Sequence, residues 1–261
     1  MSTVRNPAVA GMFYPADRDD LSQVISYMLT NAKPKDIIPR ALIAPHAGYQ
    51  YSGEIAATAY KQLEPIKHNI QRVVLLGPSH CVAFAGCAAS QADYFRTPLG
   101  DIKLDQQAIQ TLVADSKVQI LEAAHAQEHS LEVQLPFLQT VLDEFSLVPI
   151  VVGDAKTDNV VEILEFFWSD PKTFFVISSD LSHYHDYVTA QNMDKQTSDA
   201  IVKLQPENIS YDQACGRKPV IGLLHLAKKH HMTGMSLDIR NSGDTAGPKD
   251  QVVGYGAYGF Y

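Results

Sequence analysis

Arg72-Val73-Val74-Leu75-Leu76-Gly77-Pro78-Ser79-His80 is the stretch from which the fold is read. Its apolar residues follow one another without alternation, the pattern of a strand covered on both faces. Gly77 permits a tight turn, and a histidine stands just past the strand. The same arrangement occurs earlier, in Ala41-Leu42-Ile43-Ala44-Pro45-His46, and later, in Phe175-Val176-Ile177-Ser178-Ser179-Asp180-Leu181-Ser182-His183. Strands are expected over Ala41 to Ala44, Arg72 to Leu76, Val118 to Leu121, Leu147 to Val152, Thr173 to Ile177, Leu237 to Ile239 and Val252 to Phe260.

Helical stripes lie between these runs. Ile55, Thr58, Ala59 and Leu63 share a face, as do Val160, Ile163, Leu164 and Phe167. Ala200, Ile201 and Leu204 end another stripe, and Val220, Leu223, Leu224 and Ala227 mark a fourth. Leu131, Leu135, Leu138, Leu142 and Phe145 predict a helix in which Pro136 sits near the first turn or makes a kink. Strands alternating with helices imply an α/β fold. Asp93 to Leu104 reads as a hairpin through Pro98-Leu99-Gly100, which would add antiparallel strands. The expectation is a central mixed, largely parallel sheet flanked by helices. Without repeats, charge blocks or low-complexity segments, residues 1–261 are expected to form a single domain.

Composition narrows the function. The 261 residues are 46% hydrophobic and 19% charged, which fits a globular protein with a large core. A formal net charge of −8 with no basic run argues against nucleic acid and anionic membrane as partners. The segment Met1 to Pro7 lacks the basic start and apolar stretch of a signal peptide, so a cytoplasmic location is expected. Cys81, Cys87 and Cys215 show no zinc-ribbon or redox spacing and read as small buried hydrophobes.

In a largely parallel sheet the carboxyl ends of the strands share one rim, where ligands bind. His46, His80, Asp180 and His183 all fall there. One such histidine is most simply a surface residue; coincident placement on separate strands points to a site. If 180–183 turns helically, Asp180 can fix the tautomer of His183. Gln127-Glu128-His129-Ser130-Leu131-Glu132 adds a charged cluster at a helix start, where acids also serve as caps. Asn241-Ser242-Gly243-Asp244-Thr245-Ala246-Gly247 follows another strand and is either a polar turn or part of the site. His68, His125, His230 and His231 read as solvated, His225 as packed in an apolar helix, and His185 as pointing away from His183.

Ordered motifs then become visible along nearly the whole chain. They are Arg5-Asn6-Pro7-Ala8-Val9-Ala10-Gly11-Met12-Phe13-Tyr14-Pro15, Ala44-Pro45-His46-Ala47-Gly48-Tyr49, Gly77-Pro78-Ser79-His80, Glu128-His129-Ser130-Leu131-Glu132, Ser178-Ser179-Asp180-Leu181-Ser182-His183-Tyr184 and Gly254-Tyr255-Gly256-Ala257. In this series the chain resembles the Memo family, which is similar in fold to class III extradiol dioxygenases. The resemblance implies an AmmeMemoRadiSam setting, with a radical S-adenosylmethionine protein and an AMMECR-type protein as associates; animal members are linked to cell motility signalling. Its metal-type positions match His46 and His80. The third, a cysteine in animal members, is matched to Asp244, with Asp180 as a competing carboxylate. Two imidazoles and a carboxylate suit non-haem Fe(II), and zinc is the alternative. His183 matches the acid/base histidine of the dioxygenases, with His129 and Asp180 orienting substrate or neighbouring groups. The implied function is a metal-dependent redox enzyme acting on a small molecule. The alternatives are a zinc-dependent hydrolase and a non-enzymatic module that binds a small ligand or peptide.

Overall fold

The consecutive apolar runs form the middle of the main sheet. In the computed structural model, which describes residues 2–261, the strands are β1 (Val4–Arg5), β2 (Ala41–Ala44), β3 (Arg72–Pro78), β4 (Cys87–Ala89), β5 (Tyr94–Thr97), β6 (Gly100–Lys103), β7 (Gln119–Ile120), β8 (Ser146–Val152), β9 (Thr173–Ser178), β10 (His183–His185), β11 (Gly234–Asn241) and β12 (Val252–Phe260). The α-helices are α1 (Arg18–Asn31), α2 (Tyr49–Lys61), α3 (Gln106–Ala114), α4 (Glu122–Ala126), α5 (His129–Glu132), α6 (Leu135–Val141), α7 (Thr157–Trp168), α8 (Tyr187–Val202) and α9 (Arg217–Lys229). Met1, part of the expected domain, lies outside the described residues.

The main sheet runs β10-β12-β2-β9-β3-β8-β4-β7, with β11 also paired to β12. Strands β2, β9, β3 and β8 are mutually parallel, and all of β2 and β9 is buried. Burial on both faces explains why these strands read as unbroken apolar sequence. A chain of buried side chains from Leu42 and Ile43 through Val74, Leu76, Val148 and Ile150 to Phe175 and Ile177 joins α2, α7 and α9 in one hydrophobic core. The fold class expected from sequence is therefore the one observed: α/β with a mixed, largely parallel central sheet.

Details differ from expectation. The 94–103 hairpin forms, but it pairs with β1 in a separate three-stranded sheet. Antiparallel character in the main sheet comes instead from β4 against β8, β12 against β2, and β10 and β11 against β12. The expected helix from Leu131 to Phe145 is split into α5 and α6, because Pro136 occupies the first turn of α6 and helix cannot continue through it unbroken. Phe145 lies beyond that helix. His183 sits in β10, so 180–183 does not turn helically. Helix α1 went unread although Leu21, Ile25 and Leu29 are buried along one face and Asp17 caps its first turn. Among the described residues no helix is long and apolar enough to cross a membrane.

Candidate metal centre

Register brings the site together. Ala44 of β2 pairs with Ser178 of β9, and Leu76 of β3 pairs with Ile177, so the three strands end level. His46, His80 and Asp180 each lie two residues past the ends of β2, β3 and β9. The rings of His46 and His80 are 5.2 Å apart between centroids; His129, at the start of α5, is 5.5 Å from the first and 4.5 Å from the second. Cys215 enters from the loop before α9, with Sγ 3.3 Å from His46 Nε2. One ligand atom from each of His46, His80 and Cys215 lies within 4.8 Å of the others, a spacing that one ion can bridge. His80, Glu128 and His129 form a second such group, sharing His80.

Local sequence explains the approach of Cys215. A Cβ on Gly216 would meet Ser178 O and Ser179 Cβ, each at 2.6 Å, so only glycine lets this loop touch the end of β9. The Gly216 N–H donates to Ser179 Oγ at 3.0 Å and pins the contact.

Neighbouring hydrogen bonds set which nitrogen each imidazole offers. Ser178 Oγ donates its only proton to Ser130 O at 2.6 Å, so it must accept from Nδ1–H of His46 at 2.8 Å. That leaves the Nε2 lone pair of His46 on the cysteine side. Glu128 accepts from the backbone N–H of His80 at 2.6 Å and from its Nδ1 at 2.8 Å, leaving Nε2 free. The same carboxylate caps α5 through Ser130 N. His183 is treated alike, its Nδ1 donating to Leu181 O at 2.8 Å. Such partners are what orients metal-binding or proton-accepting imidazoles.

Electrostatics favours uncharged imidazole. Burial pushes His46 well below its ordinary value, and the neighbouring His80, His129 and His183 push it further. Burial also lowers His129 and His183. Burial alone would raise Glu128, but the bonds from His80 outweigh it and hold the carboxyl at about 2. Asp180 is lifted to about 7 by burial, against the hydrogen bonds from the backbone of His46 and Ala47. Burial, aided by Asp180, pushes the Cys215 thiol up. A buried thiol gives up its proton readily only where a bound cation replaces it, so this donor set fits a metal better than it fits an isolated thiolate.

A family model described as "Memo-like protein" matches residues 5–258. The chain belongs to the Memo family. A "MEMO1 family protein" of Aquifex aeolicus is 36% identical over 264 residues, covering 97% of each chain. A "Protein memo-1 homolog" of Caenorhabditis elegans is 35% identical, covering 86% of this chain and 71% of its own. "Protein MEMO1" of Xenopus laevis is 32% identical, covering 98% and 97%. Among solved structures, an uncharacterized protein from Escherichia coli K12 aligns with a TM-score of 0.47 at 12% identity, covering 84% of this chain and 99% of that one.

Some of the residues singled out in the sequence lie together in the structure and others do not. His46, His80 and His129 meet, and Asp180 Oδ2 lies 4.0 Å from Nε2 of His46. Asp244 does not join His46 and His80. It lies beyond β11, and three strands separate β11 from β3, about 19 Å at ordinary strand spacing. Its carboxylate accepts from Asn241 N at 3.0 Å and from the Tyr187 hydroxyl, closing the turn at 242–244. Cys215, and not Asp244, is grouped with His46 and His80. Sequence reasoning passed over it because it precedes a helix and follows no strand. The Cys215-Gly216 pair was its only local signal. Asp180 does not fix His183, whose partner is Leu181 O. Two other histidines also differ: His125 is buried at 1% exposure, and His225 is exposed on α9.

Proposed function

We propose that this chain binds one iron(II) ion through His46, His80 and Cys215 and acts as a metal-dependent redox enzyme on a phenolic or related small molecule. The observation that carries this reading is three donor atoms within 4.8 Å, with both imidazoles held at Nδ1 and Nε2 of His46 turned to Cys215. Bound there, iron would supply Lewis acidity, redox capacity and open coordination positions. The family's resemblance to extradiol dioxygenases supports the reaction class. His183, its Nδ1 held by Leu181 O, would take the substrate proton at Nε2. His129, stacked against His80, and Asp180, holding the backbone of His46, would position the substrate and the His46 loop. Zinc is the second reading, favoured by the thiol of Cys215, and would imply hydrolysis.

Metal analysis after anaerobic purification and reconstitution tests this. Wild type should hold one iron per chain, and His46→Ala and Cys215→Ala should lose it. His183→Gln should keep the metal yet lower turnover of a catechol or phenol about 100-fold. Stoichiometric zinc that iron cannot replace selects the hydrolytic reading. A chain that retains no metal under any loading overturns both.

A further inference from the structure

We propose that the cavity beside this centre binds a small aromatic carboxylate, with Arg217 as the residue that recognises the anion. As a statement about substrate, this rests on the metal-centre reading; as a statement about binding, it stands on the cavity itself. The space measures about 780 Å³ and lies between the loop after β3 and the loop entering α9. That is the size of a small-molecule site. His80 and Cys215 both line it, so an occupant would sit against the candidate metal donors.

Charge and shape select the ligand. The acidic and basic side chains that line the cavity are those of His80, Asp154, Arg217 and Lys218. Lys218 pairs with the largely exposed Asp154, which leaves Arg217 as the cavity's cation with no carboxylate partner among the described residues. Arg217 donates from Nε to Ile209 O at 2.7 Å, and neither terminal nitrogen has a hydrogen-bond partner among the described residues. One unspent guanidinium edge, held in place at Nε, suits the two oxygens of one carboxylate. A phosphate dianion would call for a second free cation, and Asp154 already holds Lys218. Phe84 and Tyr211 line the same cavity from the two loops, and Tyr211 is 82% exposed. Two aromatic side chains lining the same cavity as this cation suit a planar ring that carries an acid more than an aliphatic acid.

The probes are 4-hydroxybenzoate and its neutral isostere 4-hydroxybenzamide, titrated calorimetrically into the full chain. Wild type should bind the carboxylate about tenfold more tightly than the amide, the scale of one charge-assisted pair. Arg217→Gln should abolish that preference, Arg217→Lys should reduce it to a few-fold, and Lys218→Met should leave it. Should Arg217→Gln fail to fold, as judged by thermal unfolding, the lysine variant still reads the loss of the fork geometry. An absent preference in wild type, or an undiminished one in both Arg217 variants, overturns the assignment. The same titration in Cys215→Ala separates the two readings. A preference kept there, with iron content measured on the same sample, belongs to Arg217 whether or not the metal reading holds. A preference lost there belongs to a metal and overturns the role of Arg217.

Discussion

At the scale of single residues, the histidines divide by what their second nitrogen touches. His46, His80 and His183 each spend Nδ1 on a neighbour and keep Nε2. His125 is the opposite case. It is buried behind β4, with Nε2 on Ala88 O at 3.2 Å and Nδ1 without a partner. Burial lowers its pKa to about 4. The unfolded chain, at about 6.5, therefore binds this proton when the folded chain does not. The resulting stability is present above pH 6.5 and is lost as the pH falls towards 4, amounting to about 3 kcal/mol in full. Urea unfolding of wild type and His125→Gln at pH 7 and pH 4.5 isolates this term. The wild type should lose about 2–3 kcal/mol more than the variant over that interval. Equal pH dependence in the two would assign acid sensitivity elsewhere.

At the scale of elements, the N-terminal segment is tied to the loop that presents His129. Arg5 pairs with the fully buried Glu132 and donates to the carbonyls of His125 and Glu128. Glu132 also accepts from Ala8 N, Val9 N and the Tyr14 hydroxyl, and Phe13 packs 4.9 Å from His129 between ring centroids. The Arg5-to-Pro15 motif is thus a strap over α5 and carries no proposed ligand. Removing one member of a buried ion pair costs about 3–5 kcal/mol, since the other charge stays buried. Arg5→Met should lower the unfolding free energy by about that much in a denaturant titration. A loss below 1 kcal/mol would mean that the remaining donors to Glu132 suffice without the guanidinium.

At the scale of the whole molecule, one cluster of buried side chains spans the main sheet and the helices packed on it. The single tryptophan, Trp168, ends α7 and stacks on Phe175 of β9 and on His230 beyond α9. It reports on the packing of α7 against β9. Trp168 fluorescence and far-ultraviolet circular dichroism should therefore unfold the metal-free chain at the same denaturant midpoint. Separated midpoints would show that residues 2–261 hold two cooperative units instead of the one expected.

The central strands and the two strand-end histidines were legible from sequence because burial on both faces imposes an unbroken apolar run, and chain order alone puts the next residues on the rim. The α/β class, the motif series and the likeness to the Memo family follow from that same local information. What tertiary structure alone decided is which distant groups meet. Cys215 reaches the centre only because Gly216 lets its loop rest on the end of β9, and Asp244 misses it only because β12 and its neighbours lie between. His125 is buried by the packing of α4 on β4, which nothing in its own polar neighbourhood announces. Strand periodicity is written in consecutive residues, whereas the lateral order of strands and the approach of loops depend on long-range packing that no short stretch of sequence encodes.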